Sequence, residues 1–485
     1  MRTEQAMDSN SRHLFTSRRE LLKQTATGFG WLALVDLLAR TTGSSAIGTA
    51  SASNGEGSNG LALKPPHFHP RAQRVIFLFT HGGVSHMDSF DYKPLLQRDH
   101  GKPLPFALPR VVSATTGNLL ASPWKFSRHG QSGAWVSEIF PYISRCVDDL
   151  CIIRSMYCSN SRHGGACLEL HTGEDTYVRP SMGSWLSYGL GTENQNLPGY
   201  ITICPVQTHG GAHNWGAAFL PAIHQGTPLG DARTPAEKAK IPFSTNADTP
   251  ARLQRLELDL LRQMSQDGPQ QNDLDSVLES RIEAFELAFR LQSEAPGVQD
   301  ISGESAETRA LYGLDDDTTK DFGHQCLMAR RFSERGVRFV QVYDGYWDQH
   351  SRLKRDMAQN AAEIDKPIHG LLRDLKQRGL LDDTLVLCAS EFGRTPVAQG
   401  TDGRDHNPHG FTIWLAGGGI KPGIQYGATD DYGYYAVENK IHFHDLHATI
   451  LHLMGLEHTR LTYRHGGRDF RLTDVHGKVV HDIIA

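Results

Sequence analysis

Short apolar runs, each followed by polar residues, recur along much of the chain. Residues 75–80, 150–154, 337–343 and 384–389 are rich in β-branched and aromatic side chains, which is typical of strands buried on both faces. Apolar residues at helical spacing lie between the last two runs, over residues 364–375. This alternation predicts an α/β fold with a mainly parallel sheet wrapped by helices.

A different pattern covers residues 221–321. Residues 252–261 and 274–291 carry apolar side chains at three- and four-residue spacing amid many charges, which indicates amphipathic helices. We therefore predict a helical insertion within an α/β domain that spans residues 74–473, followed by a C-terminal tail at 474–485. The insertion either helps to close a site beside the sheet or is a solvated appendage.

The N-terminal residues 1–52 have the pattern of a twin-arginine export signal. Arg18 and Arg19 precede an apolar run at 28–39, and small residues at 50–52 form a cleavage site. This predicts a periplasmic or extracellular protein, the alternative being an amphipathic N-terminal helix. The apolar run is short and contains Asp36, so no transmembrane span is predicted beyond the alternative of a signal that stays uncleaved as an anchor. Residues 53–73, rich in Gly, Ser, Pro and His, predict a flexible linker.

Composition narrows the classes of function. A net charge of −5 with 39% hydrophobic residues over 485 positions describes a soluble globular protein. No block of Lys and Arg indicates a nucleic-acid partner. The seven cysteines show no zinc-finger spacing, whereas the 25 histidines, many beside Asp or Gly, favour metal chemistry.

Polar side chains follow the predicted strands, and in open α/β sheets ligands bind outside the carboxyl ends of the strands. Imidazole and carboxylate groups are ligands that zinc accepts. The candidate metal ligands are His81, Asp88, Asp348, His350, Glu391, Asp405 and His406, with His86 and His409 nearby. The alternative is an ion pair between Glu391 and Arg394 at a turn, with the histidines on a surface loop.

The turn after the second predicted strand is rich in hydroxyls and precedes a predicted helix. Cys158, Ser159 and Ser161 are possible nucleophiles there, because the amides at a helix N-terminus stabilise negative charge. The alternative is that Ser and Asn side chains cap this helix.

Residues 74–473 resemble a bacterial family called domain of unknown function 1501, which is grouped with the alkaline phosphatase and sulfatase superfamily. The matching motifs are His81-Gly-Gly-Val-Ser-His-Met-Asp88, Trp347-Asp-Gln-His350, Glu391-Phe-Gly-Arg-Thr-Pro396 and Gly403-Arg-Asp-His406. The resemblance implies an α/β/α sandwich of alkaline phosphatase/sulfatase type. It also implies one or two divalent metal ions, zinc or calcium, and hydrolysis of an anionic phosphate or sulfate ester, possibly carried on a carbohydrate.

Carried over by position, Asp348, His350 and His406 resemble the ligands of one ion. Glu391 and the loop 81–88 would flank a second ion, and Arg162 or Arg394 would hold an anionic oxygen.

The chain also departs from the superfamily. His81 stands where the first strand usually ends in Asp, and Glu391-Phe392 replaces the usual Asp-His pair. Asn160 replaces the proline of the sulfatase Cys-x-Pro-x-Arg signature, so conversion of Cys158 to formylglycine is not expected. The rival hypothesis is a secreted binding or structural protein that keeps the scaffold without turnover.

Overall fold

The computed structural model describes residues 60–107, 116–242, 249–266 and 273–485. The predicted export signal at 1–52 lies outside the described residues. The strands are β1 Arg74–Thr80, β2 Thr116–Leu119, β3 Phe126–His129, β4 Ala134–Ser137, β5 Leu150–Tyr157, β6 Tyr200–Ile203, β7 Thr227–Leu229, β8 Phe339–Asp344, β9 Thr384–Ala389, β10 Gly393–Gln399, β11 Gly403–Asn407, β12 Phe411–Ala416, β13 Ile424–Tyr426, β14 Ala428–Thr429, β15 Ala436–Glu438, β16 Ile441–His442, β17 Tyr463–His465 and β18 Arg468–Phe470. The α-helices are α1 Pro94–Arg98, α2 His163–Thr172, α3 Met182–Leu190, α4 Ala251–Gln266, α5 Asp273–Gln299, α6 Ala306–Leu311, α7 Lys320–Glu334, α8 Leu353–Gln377 and α9 Phe443–Leu453.

Among these residues, nine strands form one central sheet in the order β13-β5-β12-β9-β1-β8-β6-β7, with β16 also paired to β5. Every pairing is parallel except those of β12, which runs antiparallel to both β5 and β9. The strands are short apolar runs that helices separate in sequence, and this arrangement favours parallel crossover connections.

Strand β1 separates two hydrophobic cores. Ile76 and Leu78 face a core that contains apolar residues of α7 and α8, whereas Phe77 and Phe79 face one built with α2, α3 and α9. Because successive side chains of a strand point to opposite faces, both faces of the sheet are covered by helices. The predicted α/β/α sandwich with a mainly parallel sheet is confirmed.

The structure adds detail to the predicted domain limits in three places. Residues 60–73 of the predicted linker are packed, since Leu61 is buried and the Lys64 amide donates to the Leu190 carbonyl; their prolines restrict the backbone rather than freeing it. The predicted helical insertion at 221–321 contains β7, an edge strand of the sheet, where Pro228 is tolerated because one side of the strand is unpaired. The tail at 474–485 packs on the domain through the buried Ile483.

Within the described part of the chain, no helix combines the length and apolar character needed to cross a membrane.

Candidate metal centre

The carboxyl ends of β1, β8 and β9 lie side by side, because these parallel strands are neighbours in the sheet. They lead into the loops that carry His81, Asp348 and Glu391. Gly82, at φ 123°, allows the first two loops to approach closely, since a β-carbon there would lie 2.8 Å from backbone atoms of Trp347 and Asp348. Only glycine fits at this position.

Four side chains place potential ligand atoms within 4.8 Å of one another: His163, Asp348, His350 and His406. The Asp348 carboxylate lies 2.9 Å from Nε2 of His350 and 3.2 Å from Nε2 of His406. It also lies 3.3 Å from Nε2 of His163, the first residue of α2. The structure thus places the three predicted ligands beside a fourth residue, His163, which was not among the candidate ligands predicted from the sequence.

Each imidazole of this cluster donates its Nδ1 proton to an acceptor outside the cluster. The acceptors are Oε1 of Glu391 for His163 (2.6 Å), the Ser161 carbonyl for His406 (2.8 Å) and Oε1 of Gln399 for His350. The three Nε2 atoms are therefore unprotonated in the neutral rings and converge on the carboxylate. A hydrogen bond that fixes the second ring nitrogen in this way is characteristic of metal-ligating histidine.

The donor set fits a divalent cation. Nε2 of His350 and Nε2 of His406 lie 3.0 Å apart. Because both neutral rings carry their proton on Nδ1, neither Nε2 can donate a hydrogen bond to the other. Nε2 of His163 is buried and has no hydrogen-bond partner among the described residues, because its approach to Asp348 lacks hydrogen-bond geometry. Tetrahedral nitrogen ligands of zinc are spaced by about 3.3 Å, which is close to the spacing observed here.

The electrostatics of the cluster stabilise positive charge. Burial opposes protonation of His163, but the nearby carboxylate of Asp348 and the hydrogen bond to Glu391 raise its pKa to about 9. Burial would raise the pKa of Asp348, yet the contacts of its carboxylate with the three histidines and the charge of Arg394 hold that pKa well below its usual range. An environment that favours a proton on imidazole to this extent also favours a metal cation at the same place.

A second cluster shares His163 and adds His81 and His209, again with ligand atoms within 4.8 Å. Nε2 of His81 lies 3.0 Å from Nδ1 of His209. Each of these histidines opens a His-Gly-Gly triplet, and this recurrence is the sequence signal by which His163 and His209 could have been found. The fourth such triplet, at His465, lies at the hairpin of β17 and β18.

Glu391 is buried and accepts hydrogen bonds from Nδ1 of His163 and, at 3.0 Å, from the Gly82 amide. Burial would raise its pKa, but the hydrogen bond from His163 and the positive charge of neighbouring histidines lower it to about 2. One of its oxygens also groups with ligand atoms of His81 and Cys167. Glu391 is therefore ionised, and in the first cluster it orients His163.

The two arginines predicted as anion ligands have different environments. Arg394 is fully buried, and its guanidinium donates to Asp348 Oδ1 at 2.6 Å and to the carbonyls of Gly82, Gly83, Trp347 and Arg404. Its N–H groups are therefore used in hydrogen bonds that hold the loops of the site together, and they are not available to an anion. Arg162 is exposed directly before α2, so its guanidinium is accessible to an anion.

Asp88 does not join either cluster. It lies in a buried 3-10 turn, His86–Asp88, and its carboxylate pairs with Arg404 at 2.7 Å and accepts a hydrogen bond from Ser85. Both partners of the ion pair are fully buried. The prediction of a metal ligand at Asp88 is not supported, because both carboxylate oxygens are occupied by the guanidinium.

Three other candidates lie near the clusters without contributing a grouped ligand atom. Asp405 accepts a hydrogen bond from the His406 amide, and its Oδ1 lies 4.0 Å from Nδ1 of His350. The ring of His86 is tied to the Gly433 carbonyl at 2.7 Å. His409 packs its ring near those of Tyr434 and Tyr435. These contacts position neighbouring chain segments.

The three predicted nucleophiles are not equivalent. Burial raises the pKa of the Cys158 thiol well above its usual value, which opposes thiolate formation. Ser159 lies 3.2 Å from Nε2 of His442, but Nδ1 of His442 accepts from the His444 amide, so Nε2 carries the proton and cannot act as a base. Ser161 gives its carbonyl to His406, and its hydroxyl makes no hydrogen bond with the described residues.

We predict that Cys158→Ala leaves both bound metal and any ester hydrolysis unchanged, because the buried thiol is not ionised. Metal analysis and steady-state kinetics of the variant test this, and intact-mass spectrometry of the wild type should show an unmodified cysteine. Loss of hydrolysis together with a modified Cys158 in the wild type would restore the sulfatase-like role.

The chain shows distant similarity to several solved structures. The lipoteichoic acid synthase LtaP from Listeria monocytogenes has 10% identity and a TM-score of 0.34, with 82% of this chain and 76% of that chain covered. The PsFucS1 sulfatase from Pseudoalteromonas sp. has 13% identity and a TM-score of 0.33, with coverage of 80% and 68%. The alkaline phosphatase from the Antarctic bacterium TAB5 has 10% identity and a TM-score of 0.32, with coverage of 79% and 98%. Similarity of this degree does not bear on activity.

No relative was found among curated proteins. The model of a family described as "Protein of unknown function (DUF1501)" matches residues 72–484. These residues include the whole sheet and both histidine clusters. The chain therefore belongs to the DUF1501 family, as its sequence motifs predicted.

Proposed function

We propose that this chain is an exported, metal-dependent hydrolase of phosphate or sulfate esters. One observation carries the proposal: three imidazoles with fixed Nδ1 protons direct Nε2 atoms at one carboxylate, at the carboxyl edge of a mainly parallel sheet. Side chains arranged in this way are suited to bind a cation, and the edge is where open α/β sheets bind ligands.

Of the two metals expected from sequence, zinc suits the donors better than calcium. Three nitrogen ligands and one carboxylate form the first cluster, whereas calcium takes six to eight oxygen ligands. A divalent ion at this place would act as a Lewis acid that stabilises negative charge on an ester oxygen.

The cluster is accessible from one side. The side chains of Asp348 and His350 are 39% and 31% exposed, whereas those of His163 and His406 are 10% and 9% exposed. An anionic ester could therefore approach along the Asp348 side. Arg162 would hold one of its charged oxygens through a planar pair of N–H donors, supported by the adjacent N-terminus of α2. Ser161 is the nucleophile candidate that we retain.

The test combines metal analysis of the purified protein with assays on 4-nitrophenyl phosphate and 4-nitrophenyl sulfate. We expect bound zinc, hydrolysis of at least one ester, loss of hydrolysis on chelation and its return when zinc is added. His350→Ala should remove hydrolysis in a protein that remains folded, because a ligand atom is lost while the buried core is untouched.

Bound metal without hydrolysis of either ester would contradict the proposal and favour the rival hypothesis of a non-catalytic secreted binding protein. Absence of bound metal after exposure to zinc would contradict both the metal centre and the hydrolase.

A further inference from the structure

Tyr346 has an unusual combination of exposure and backbone strain. Its side chain is 87% exposed, more than any other large hydrophobic residue among those described. Its φ of 71° is left-handed, a conformation that costs free energy for any residue with a β-carbon. No ring contact joins its side chain to another described residue. The residue therefore does not serve packing, and strained residues of this kind concentrate at functional sites.

The strained backbone is held in place by buried amides. The Tyr346 carbonyl accepts hydrogen bonds from Gln349 Nε2 at 2.9 Å and Asn360 Nδ2 at 2.8 Å. Gln349 and Asn360 are 2% and 7% exposed. The following residue, Trp347, is fully buried, and its indole donates to Asp344. A rigid support thus holds an aromatic ring in solvent.

The backbone of Tyr346 lies close to the metal centre. Tyr346 precedes Asp348 by two residues, so their α-carbons are separated by at most about 7 Å. The preceding residue, Gly345, faces the loop that carries His209, because a β-carbon built there would meet Val206 at 3.9 Å. The loop that carries Tyr346 therefore approaches the loop that carries the candidate ligand His209.

From this arrangement we propose that Tyr346 binds a ring in the alcohol part of the ester, while the metal centre holds the anionic group. The inference rests on the proposed function and deepens it by naming a substrate class: esters of ring-bearing alcohols, aromatic or pyranose, rather than of short acyclic alcohols. Tyrosine supplies a large apolar face at low conformational cost, which suits stacking against a flat ring.

Phosphonates test the inference without turnover, because their carbon–phosphorus bond cannot be cleaved by ester hydrolysis. Binding of methylphosphonate, phenylphosphonate and 6-deoxyglucose 6-phosphonate to the zinc-loaded protein is measured by calorimetry. We expect at least one ring-bearing ligand to bind about tenfold more tightly than methylphosphonate. The phenyl and sugar ligands distinguish an aromatic alcohol from a carbohydrate.

Three variants separate recognition from folding. Tyr346→Gly should remove the ring preference and leave methylphosphonate binding unchanged. Its melting temperature should equal or exceed that of the wild type, because glycine adopts this backbone without strain. Tyr346→Phe should keep the preference. Tyr177→Ala removes an exposed tyrosine outside the clusters and is the matched control. It should change neither the ring preference nor the binding of methylphosphonate.

Equal binding of ring-bearing ligands by the wild type and Tyr346→Gly would overturn the inference while leaving the proposed function intact. So would a wild type that binds methylphosphonate but shows no ring preference. Failure of all three phosphonates to bind would overturn phosphate esters as the substrates of the proposed function, and this inference with them.

Discussion

His163→Ala is expected to remove metal from the protein and to lower ester hydrolysis by more than about 100-fold, since loss of a group that merely orients a ligand already costs about 10–100-fold. His163 belongs to both histidine clusters. Its replacement should therefore remove more metal than His350→Ala does if two ions bind, and an equal amount if only one binds. Metal content per folded protein and steady-state kinetics provide the measurements.

Two further variants control for damage to the fold. His163→Gln keeps an amide that can donate to the buried Glu391 but offers no imidazole, and it should lose metal as His163→Ala does. His409→Ala removes a half-buried histidine whose ring packs near Tyr434 and Tyr435 outside the clusters, and it should retain metal. Full metal content in both His163 variants would rule out the metal centre as assigned.

Asp88→Asn should lower the free energy of unfolding by about 3–5 kcal/mol, because it leaves the Arg404 guanidinium buried without its counter-charge. Both side chains are 0% exposed, and the ion pair is made at 2.7 Å. Urea denaturation measures the loss. The metal content of the folded fraction should stay at the wild-type level, since Asp88 lies outside both clusters.

The matched control is Asp317→Asn. Asp317 pairs with Lys320 on the surface and its side chain is 96% exposed, so no measurable loss of stability is expected. Loss of metal in Asp88→Asn without loss of stability would reverse our assignment and return Asp88 to the ligands predicted from sequence.

The fold was predictable where the local pattern of apolar and polar residues determines the secondary structure. Residues 384–389 form a strand with the predicted ends. A short apolar run with β-branched residues is stable mainly as a strand that is buried on both faces. Strand β5 extends to Tyr157 beyond its predicted end at 154, since Met156 pairs with β12 and β16 and Tyr157 pairs with β16. The three-residue strand β7 contains Pro228, and no periodicity can be read from so short a segment.

The convergence of the candidate residues was predictable in part, and the exception at Asp88 has a physical cause. Asp348, His350 and His406 were identified from the loops that follow strands, and they do converge. Asp88 follows a strand as well, but Arg404, a residue 316 positions away, takes its carboxylate. An ion pair between residues so far apart in the chain cannot be predicted from local sequence. The partner of such a polar group is determined by the folded sheet, which brings distant segments together.

The wide separation of the ligands along the chain also links cation uptake to maturation of the domain. His163 and His406 lie on opposite sides of the segment that supplies α7, β8 and α8, so a nascent chain that ends before His406 cannot offer the complete set of donors. Occupancy by zinc would then mark a polypeptide in which the loop after β8 has met α2 and β11. Bound metal per molecule would report the fraction of a preparation that has reached its final structure.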